Sequence, residues 1–170
     1  NNANGVTVNN ATPAVDASVS GALTLTTNLT VAPGAILQQS GTSAGAGDAI
    51  GTVRRTDLGV TARAFGNPFN TIAINTGTAP TQMDVTLVKL APADFPTAVT
   101  RTYTLMPTGG SGISATLKLH YLDAELNGNA ETKLALFRKN GTWAAQGRTG
   151  AVDTANNAVA LSGVSQFSDW

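Results

Sequence analysis

The amino-acid sequence predicts an all-β protein, an antiparallel β-sandwich of the immunoglobulin-like or jelly-roll-like kind preceded by a segment of short β-strands. Three observations lead to this fold class. Thr, Asn, Gly and Ser are frequent among the polar residues, as is typical of strands and turns. Apolar and polar residues alternate in several short runs. A helical stripe is absent, and the nearest segment, residues 92–98, is short and contains Pro96.

The clearest predicted strand runs from Ile113 to Tyr121. Its apolar residues occupy every second position, and Ser, Thr, Lys and His stand between them. Because successive side chains of a strand point to opposite faces, one face of this strand should pack in the core. We expect it to lie in the middle of a sheet. Further strands are predicted at residues 60–65, 71–75, 83–90, 101–106, 133–138 and 158–164, with hairpin turns at Asn127-Gly128 and Asn140-Gly141.

Charge divides the chain into two parts. Residues 1–53 contain only two charged side chains, Asp16 and Asp48. We therefore expect residues 1–50 to be a Thr/Asn-rich strand segment and residues 51–170 to be the β-sandwich domain. Short apolar pairs recur in the first part, either as rungs of a β-solenoid or as strands added to the sandwich. Its Gly-rich end, from Ser40 to Gly51, is expected to be a flexible linker.

The short strands of the first part need a larger sheet to join, because isolated two-stranded units are marginal in water. We expect them to join the edge of the sandwich or of a neighbouring subunit, with strand donation between copies building a homo-oligomer or filament. An aromatic residue at the end of a chain is buried only where that end is tied down. The predicted subunit interface comprises Val6, Val8, Leu23, Leu25, Leu29, Val31 and Trp170.

Composition excludes several classes of protein. Hydrophobic residues make up 42% of the 170-residue chain, which is enough for a core, whereas charged residues make up only 12% and cancel to zero net charge. Nucleic acid is therefore an unlikely partner. The absence of cysteine excludes disulfides, thiolate metal sites and thiol nucleophiles. No apolar stretch approaches a membrane span, and the start at Asn1 without Met fits a mature secreted chain or an excised fragment.

The stretch from Gly51 to Trp170 resembles a known kind of protein segment. It contains GTVRRT, FGNPFNTIAINTGTAPT, RTYTLMPTGGSG, ATLKLHYLDAELNGNAE and VDTANNAVALSGVSQFSDW. It is similar to a β-sandwich segment of large secreted bacterial surface proteins, where that segment commonly follows β-strand repeats. The resemblance implies an extracellular or cell-surface location and brings no catalytic residues with it.

Candidate catalytic residues are few. His120, the only histidine, is predicted on the outward face of its strand, and Ser111 lies in a Gly-rich turn rather than a nucleophile elbow. Glu125 and Glu131 are the only glutamates and could pair as an acid and a base for glycoside cleavage. Both lie in one predicted hairpin with little aromatic surface to stack a sugar. The sequence therefore predicts a protein that is not an enzyme and uses no cofactor.

One segment is a weak candidate for a calcium site. Oxygen-bearing side chains at alternate positions around a Gly turn can converge on a hard cation. The closing bidentate glutamate of a calcium loop is missing, however, with Leu134 in its place. An Asn-Gly hairpin explains the same spacing without an ion, and we expect the simple hairpin. The candidate ligands are Asp123, Glu125, Asn127, Asn129 and Glu131.

Two hypotheses for the function follow. The first is a non-catalytic structural subunit of a bacterial cell-surface assembly or filament, held together by β-strand complementation between subunits. The second is an adhesin or carbohydrate-binding module of a larger secreted protein, with surface glycans as partners.

Overall fold

The computed structural model describes residues 7–8 and 15–170 of the chain. In that part the secondary structure consists of β-strands and two 3-10 turns, Asp123–Glu125 and Glu131–Lys133, so the all-β class is confirmed. None of the described residues belongs to a helix long and apolar enough to cross a membrane. The strands are β1 (Thr7–Val8), β2 (Val15–Val19), β3 (Leu23–Thr24), β4 (Leu29–Val31), β5 (Ile36–Gln39), β6 (Ser43–Ala44), β7 (Ala49–Arg55), β8 (Arg63–Phe65), β9 (Asn67–Thr78), β10 (Gln82–Val88), β11 (Thr102–Thr108), β12 (Ser111–His120), β13 (Leu136–Asn140), β14 (Thr142–Gly147) and β15 (Ala158–Val164).

The first seven strands form a stack of parallel rungs. Strand β1 pairs with β4 and β4 with β7, β2 pairs with β5 and β5 with β7, and β3 pairs with β6, all in parallel. We call β1–β3 the first rung, β4–β6 the second and β7 the third. Paired residues of the first two rungs, such as Ala17 with Leu37 and Leu23 with Ser43, are 20 positions apart in the chain. The same separation of 20 positions holds for the hydrogen-bonded residues Asn28 and Asp48. Successive turns of the chain therefore lie directly on one another.

The Gly-rich stretch predicted as a flexible linker is instead part of this stack. It contains β6 and the beginning of β7. A Cβ atom on Gly41 would lie 1.7 Å from the carbonyl oxygen of Gly21, and one on Gly47 would lie 2.2 Å from that of Thr27. Glycine is needed here because the backbone of the second rung closely approaches the backbone of the first.

Strand β7 connects the rung stack to the rest of the chain. Its Val53 faces Leu37 of β5 on one side and Val85 of β10 on the other. The seven-stranded sheet therefore continues from the parallel rungs into the antiparallel strands β10 and β11. A second, antiparallel sheet has the order β15-β12-β9-β8. The two sheets and the rungs contribute to one hydrophobic core, which includes Leu37, Val53, Val85, Leu105, Ile72, Leu117 and Val159.

The strand at the centre of the second sheet confirms the prediction for residues 113–121. Strand β12 pairs with β15 on one side and with β9 on the other. Ala115 and Leu117 are fully enclosed, whereas Thr116 and Lys118 between them are partly exposed. The alternation stops at the end of the strand, because Leu119, His120 and Tyr121 are all buried. The alternation predicted that His120 lies on the outward face of its strand. This prediction is wrong, because the His120 side chain is buried.

One of the two hairpin turns predicted from the sequence is present in the structure, and the other is not. Asn140-Gly141 connects β13 with β14, as predicted. Asn127-Gly128 does not form a β-hairpin, since it lies between the two 3-10 turns. The last residues are tied down between β11 and β13: the amide of Trp170 donates to Tyr103 O (2.7 Å), and the amide of Lys139 donates to Asp169 O (2.9 Å).

Four residues of the predicted subunit interface, Leu23, Leu29, Val31 and Trp170, are buried in the core of the chain itself, and the partly buried Leu25 packs against it. The subunit interface stays a prediction. Val6 lies outside the described residues, and Val8 is described by its backbone, which pairs with Val31.

We expect Leu117→Asp to unfold the protein, because it buries an unpaired charge at a cost of several kcal/mol against a total stability of roughly 5–15 kcal/mol. Thr116→Asp, at the next position of the same strand, is the matched control. The Thr116 side chain is partly exposed and forms hydrogen bonds with Asn75 and Ser162, so a charge there is not buried without a partner. Circular dichroism melting curves measure both variants. A cooperative native-like transition in Leu117→Asp would contradict the placement of this strand.

The rung stack predicts a contrast between two glycines. Gly41→Ala should destabilise the protein by about 1–3 kcal/mol, because the added methyl meets backbone that cannot rotate away. Gly21→Ala adds the same methyl where no atom lies within 4 Å, and should stay within about 0.5 kcal/mol of the wild type. Chemical denaturation gives both values. Equal effects would argue against close stacking of the two rungs.

Candidate functional site

Four charged side chains form a buried cluster where the rung stack meets the two sheets. Nη2 of Arg101 donates to Asp48 Oδ2 (2.7 Å), and its Nε donates to Glu125 Oε2 (2.7 Å). Lys89 Nζ lies 3.0 Å from Asp48 Oδ2 and 3.2 Å from Glu125 Oε1. Asp48 is completely enclosed, and Arg101 and Glu125 are also buried. We call these four residues the ion cluster; its two carboxylates balance its two cations.

Each member of the ion cluster comes from a different part of the fold. Asp48 directly precedes β7, and its amide donates to Asn28 Oδ1 (3.0 Å) in the rung stack. Its own Oδ1 accepts from Asn67 Nδ2 (3.0 Å) at the start of β9. Arg101 directly precedes β11, and Glu125 ends the first 3-10 turn. The ion cluster therefore joins the rungs, both sheets and this turn.

The environment keeps both Asp48 and Arg101 charged. Burial alone would raise the pKa of Asp48, but the hydrogen bonds and charges of Arg101 and Lys89 outweigh it and hold the pKa below its usual value. Burial alone would lower the pKa of Arg101, yet the neighbouring Tyr103, Glu125 and Asp48 raise it overall. Asp48 and Arg101 therefore form a permanent ion pair near neutral pH.

Tyr103 extends the cluster into the space between the sheets. Its hydroxyl accepts from Arg101 Nη1 (2.9 Å) and lies 2.6 Å from Asn70 Oδ1 and 2.8 Å from the carbonyl oxygen of His120. Burial raises the pKa of Tyr103 to about 12, although the charge of Arg101 opposes this. The phenol therefore stays protonated and serves as a hydrogen-bonding group.

The candidate catalytic residues are not brought together. Nδ1 of His120 lies 2.9 Å from the carbonyl oxygen of Asn157, and burial together with the charge of Arg101 lowers the pKa of this imidazole. Ser111 is at the opposite end of β12, about 30 Å away at the usual rise of a strand. Glu125 is held by Arg101, while Glu131 accepts from the Tyr121 hydroxyl (2.9 Å).

The five candidate calcium ligands also turn to different partners. In the described part of the chain, no group of three or more His, Cys, Asp or Glu side chains is arranged to hold a metal ion. The carboxylates accept hydrogen bonds or ion pairs, and the amides bind backbone carbonyl groups. Their partners are Asn157 for Asp123, Arg101 for Glu125, Pro96 and Ala98 for Asn127, Thr97 and Leu126 for Asn129, and Tyr121 for Glu131.

The two asparagines of this segment hold the loop between β10 and β11. Asn127 Nδ2 donates to the carbonyl oxygens of Pro96 (2.9 Å) and Ala98 (2.8 Å), and Asn129 Nδ2 donates to that of Thr97 (2.9 Å). Asn127 has φ 51° and Gly128 has φ 79°, which turns the chain back toward this loop. The spacing that suggested a metal loop thus belongs to a clamp on residues 96–98.

An apolar cavity lies beside the ion cluster. Its volume is about 320 Å³, and Arg101, Tyr103 and Leu119 are among the residues that line it. The lining also includes residues of the loop after β10, of the segment after the second 3-10 turn, and both tryptophans. The ring centroid of Phe95 lies 4.9 Å from that of Phe137 and 6.0 Å from that of Trp143. This aromatic cluster connects the β10–β11 loop with the β13–β14 hairpin.

Trp143 and Trp170 have different environments. Trp143 is half-buried, and its Nε1 donates to Asp94 Oδ1 (3.0 Å). Trp170 is buried, and its enclosed Nε1 has no hydrogen-bond partner in the described part of the protein. Both indoles line the cavity, Trp143 near the surface and Trp170 inside the protein.

Comparison of the chain with protein-family models, with curated proteins and with solved structures finds no match.

Asp48→Asn should destabilise the protein by about 3–5 kcal/mol, because it leaves the buried Arg101 and the partly exposed Lys89 with one carboxylate between them. Asp84→Asn is the matched control: Asp84 also pairs with an arginine, Arg54, at 2.7 Å, but this pair is partly exposed. Loss of an exposed ion pair costs about 0–1 kcal/mol. Urea denaturation measures both variants, and equal losses would argue against a central role for the ion cluster.

The lowered pKa of Asp48 predicts acid sensitivity. A carboxyl group whose pKa is lower in the folded than in the unfolded state stabilises the protein above its usual pKa of about 4, and this contribution is lost as pH falls through the folded value. The melting temperature should therefore fall below about pH 4 in the wild type and less steeply in Asp48→Asn. Calorimetry between pH 2 and pH 7 measures this difference; parallel curves would contradict it.

Proposed function

We propose that this chain is a non-catalytic structural protein of a bacterial extracellular surface assembly, a β-sandwich module extended by β-strand addition at its first rung. The supporting observation is the open edge of that rung. Strand β2 pairs with β5 alone and β3 pairs with β6 alone within the described residues. Unpaired N–H and C=O groups of such an edge are a template for another strand.

The rung stack supports an acceptor edge rather than a donated strand. Strands β3 and β4, expected to leave for a neighbouring subunit, have parallel partners in their own chain. Their buried residues Leu23, Leu29 and Val31 belong to the chain's own core. Another copy, or another repeat of the same kind, would therefore add its strand to β2 in the parallel sense that continues the stack.

Buried polar residues fix the rung stack to the two-sheet part, as a structural role requires. Arg55 Nη1 donates to the carbonyl oxygens of Gly41 and Ala64 (2.8 Å each), and its Nη2 donates to that of Ser40 (2.9 Å). Asp57 binds the same guanidinium through two hydrogen bonds. Arg55 is 1% exposed. It thus ties the second rung to β8, and strain on one part passes to the other.

The surface supports an extracellular location. The outer face of β7 and β10 carries a hydrogen bond between Thr52 and Thr86 hydroxyls (2.8 Å) beside the ion pair of Arg54 with Asp84. Hydroxyl groups and few, paired charges thus cover this face. The resemblance of residues 51–170 to β-sandwich segments of bacterial surface proteins supports the same assignment.

The alternative function is that of an adhesin or carbohydrate-binding module. The aromatic cluster of Phe95, Phe137 and Trp143 favours it, because these half-buried rings lie close together. Calorimetric titration with mono- and oligosaccharides tests it directly. Sugar binding without any self-association would replace strand addition with this function.

Strand addition predicts self-association that depends on protein concentration. Each molecule offers one rung edge, so light scattering of the wild type should show single molecules associating into pairs as the protein concentration rises. Ala17→Pro and Ser18→Pro test the edge, because alternate N–H groups of β2 point to opposite sides and only one of the two prolines disrupts the pairing with β5. The variant that keeps the wild-type melting temperature should fail to assemble.

Two outcomes contradict the proposal. One is a wild-type protein that remains a single molecule at every concentration. The other is a proline variant of wild-type stability that assembles as well as the wild type.

A further inference from the structure

We propose that the cavity beside the ion cluster is a binding site for a small, largely apolar organic molecule, such as a ring compound or a short hydrocarbon chain. This site is separate from the rung edge and goes beyond the structural role. Its volume of about 320 Å³ is at the lower end of the range of small-molecule pockets.

The cavity opens partly to solvent, so its apolar walls can contact water when it holds no ligand. An apolar molecule bound there would remove those walls from water, which is favourable in proportion to the apolar area buried. One water molecule occupies about 30 Å³ of the liquid, so the cavity admits a molecule of roughly ten heavy atoms.

The floor of the cavity selects against charged ligands. All five N–H groups of Arg101 donate within the protein, to Asp48, Glu125 and Tyr103. The Tyr103 hydroxyl is fully engaged with Arg101, Asn70 and the backbone. These two side chains therefore present their aliphatic stem and ring to an occupant rather than free polar groups. A charged ligand would lose its hydration on this floor without a free partner, whereas Lys133, the other charged residue of the lining, is exposed to solvent.

The walls match a flat ring or a hydrocarbon chain. Leu119, Leu136 and Val159 are buried apolar residues of the lining. The half-buried rings of Phe95 and Trp143 lie where the cavity approaches the surface. Aromatic rings offer large apolar contact in stacked or edge-to-face arrangements, which favours an aromatic occupant.

The loop over the cavity is held in a defined position. Asn127 and Asn129 bind the backbone of residues 96–98, which line the cavity in part. Trp143 binds Asp94 at the start of the same loop, and Lys139 Nζ lies 2.9 Å from Asp94 Oδ2. These contacts maintain the opening between the loop and the β13–β14 hairpin without filling it. The site is therefore largely formed before a ligand enters, as in most small-molecule sites.

The experiment uses 2-naphthol and octan-1-ol as ligands and the intact protein. Both tryptophans of the chain line the cavity, so tryptophan emission reports binding directly. We expect a saturable change in emission with both ligands and a melting temperature that rises with ligand concentration. Glucose, a polar molecule of similar size, should produce neither effect.

Two variants fill the cavity, and one serves as a control. Ala98→Phe and Ala135→Phe place a ring in the lining. Each should weaken 2-naphthol binding at least about tenfold, a loss of about 1.4 kcal/mol in affinity. Ala144→Phe adds the same ring on the exposed part of β14, outside the lining, and should bind as the wild type does.

A measurement on the wild type keeps the test decisive if both filling variants fold poorly. Nuclear Overhauser effects should connect 2-naphthol with the indole protons of Trp143 and Trp170. The proposal is overturned by unsaturable emission changes, by wild-type affinity in a folded filling variant, by the absence of these Overhauser effects, or by binding of glucose in place of 2-naphthol. None of these results depends on self-association through the rung edge.

Discussion

The ion pair between Arg101 and Asp48 is the interaction on which the rest of the structure depends. The two residues are 53 positions apart, one at the third rung and the other at the entrance to β11. Burying a guanidinium is costly unless every N–H group finds an acceptor, and Asp48, Glu125 and Tyr103 together provide them. Arg101 can thus enter the core only when the rungs, the sheet and the 3-10 turn are in place. This requirement couples their folding.

The rung stack depends on that coupling. Its strands are short, and β3, β4 and β6 have two or three residues each, which is too few to form a stable sheet alone. The stack becomes stable because β7 continues into the antiparallel strands, and Asp48 and Arg55 fasten both ends of β7. The two-sheet part therefore closes one end of the stack.

Local patterns explain what could be predicted from the sequence. Strand β12 was found because five alternating apolar positions leave one choice of buried face, and the hairpin at Asn140-Gly141 was found because its turn requires a positive φ. The ion cluster has no such pattern, since its members are widely separated. The stretch from Ser40 to Gly51 was misinterpreted because glycine permits close backbone contact as well as flexibility. The parallel register was hidden because paired residues such as Leu29 and Ala49 differ in type.

The ion cluster and the cavity influence each other through water. Arg101 and Tyr103 belong to both, so the polarity of the cavity sets the dielectric environment of the ion pairs. Water in the cavity would screen the pairs, whereas an apolar occupant would exclude it and strengthen each hydrogen bond. A molecule bound there would thus stabilise the junction between the two sheets and the rungs without touching the rung edge. An occupant of the proposed site would therefore stiffen this junction from within the core.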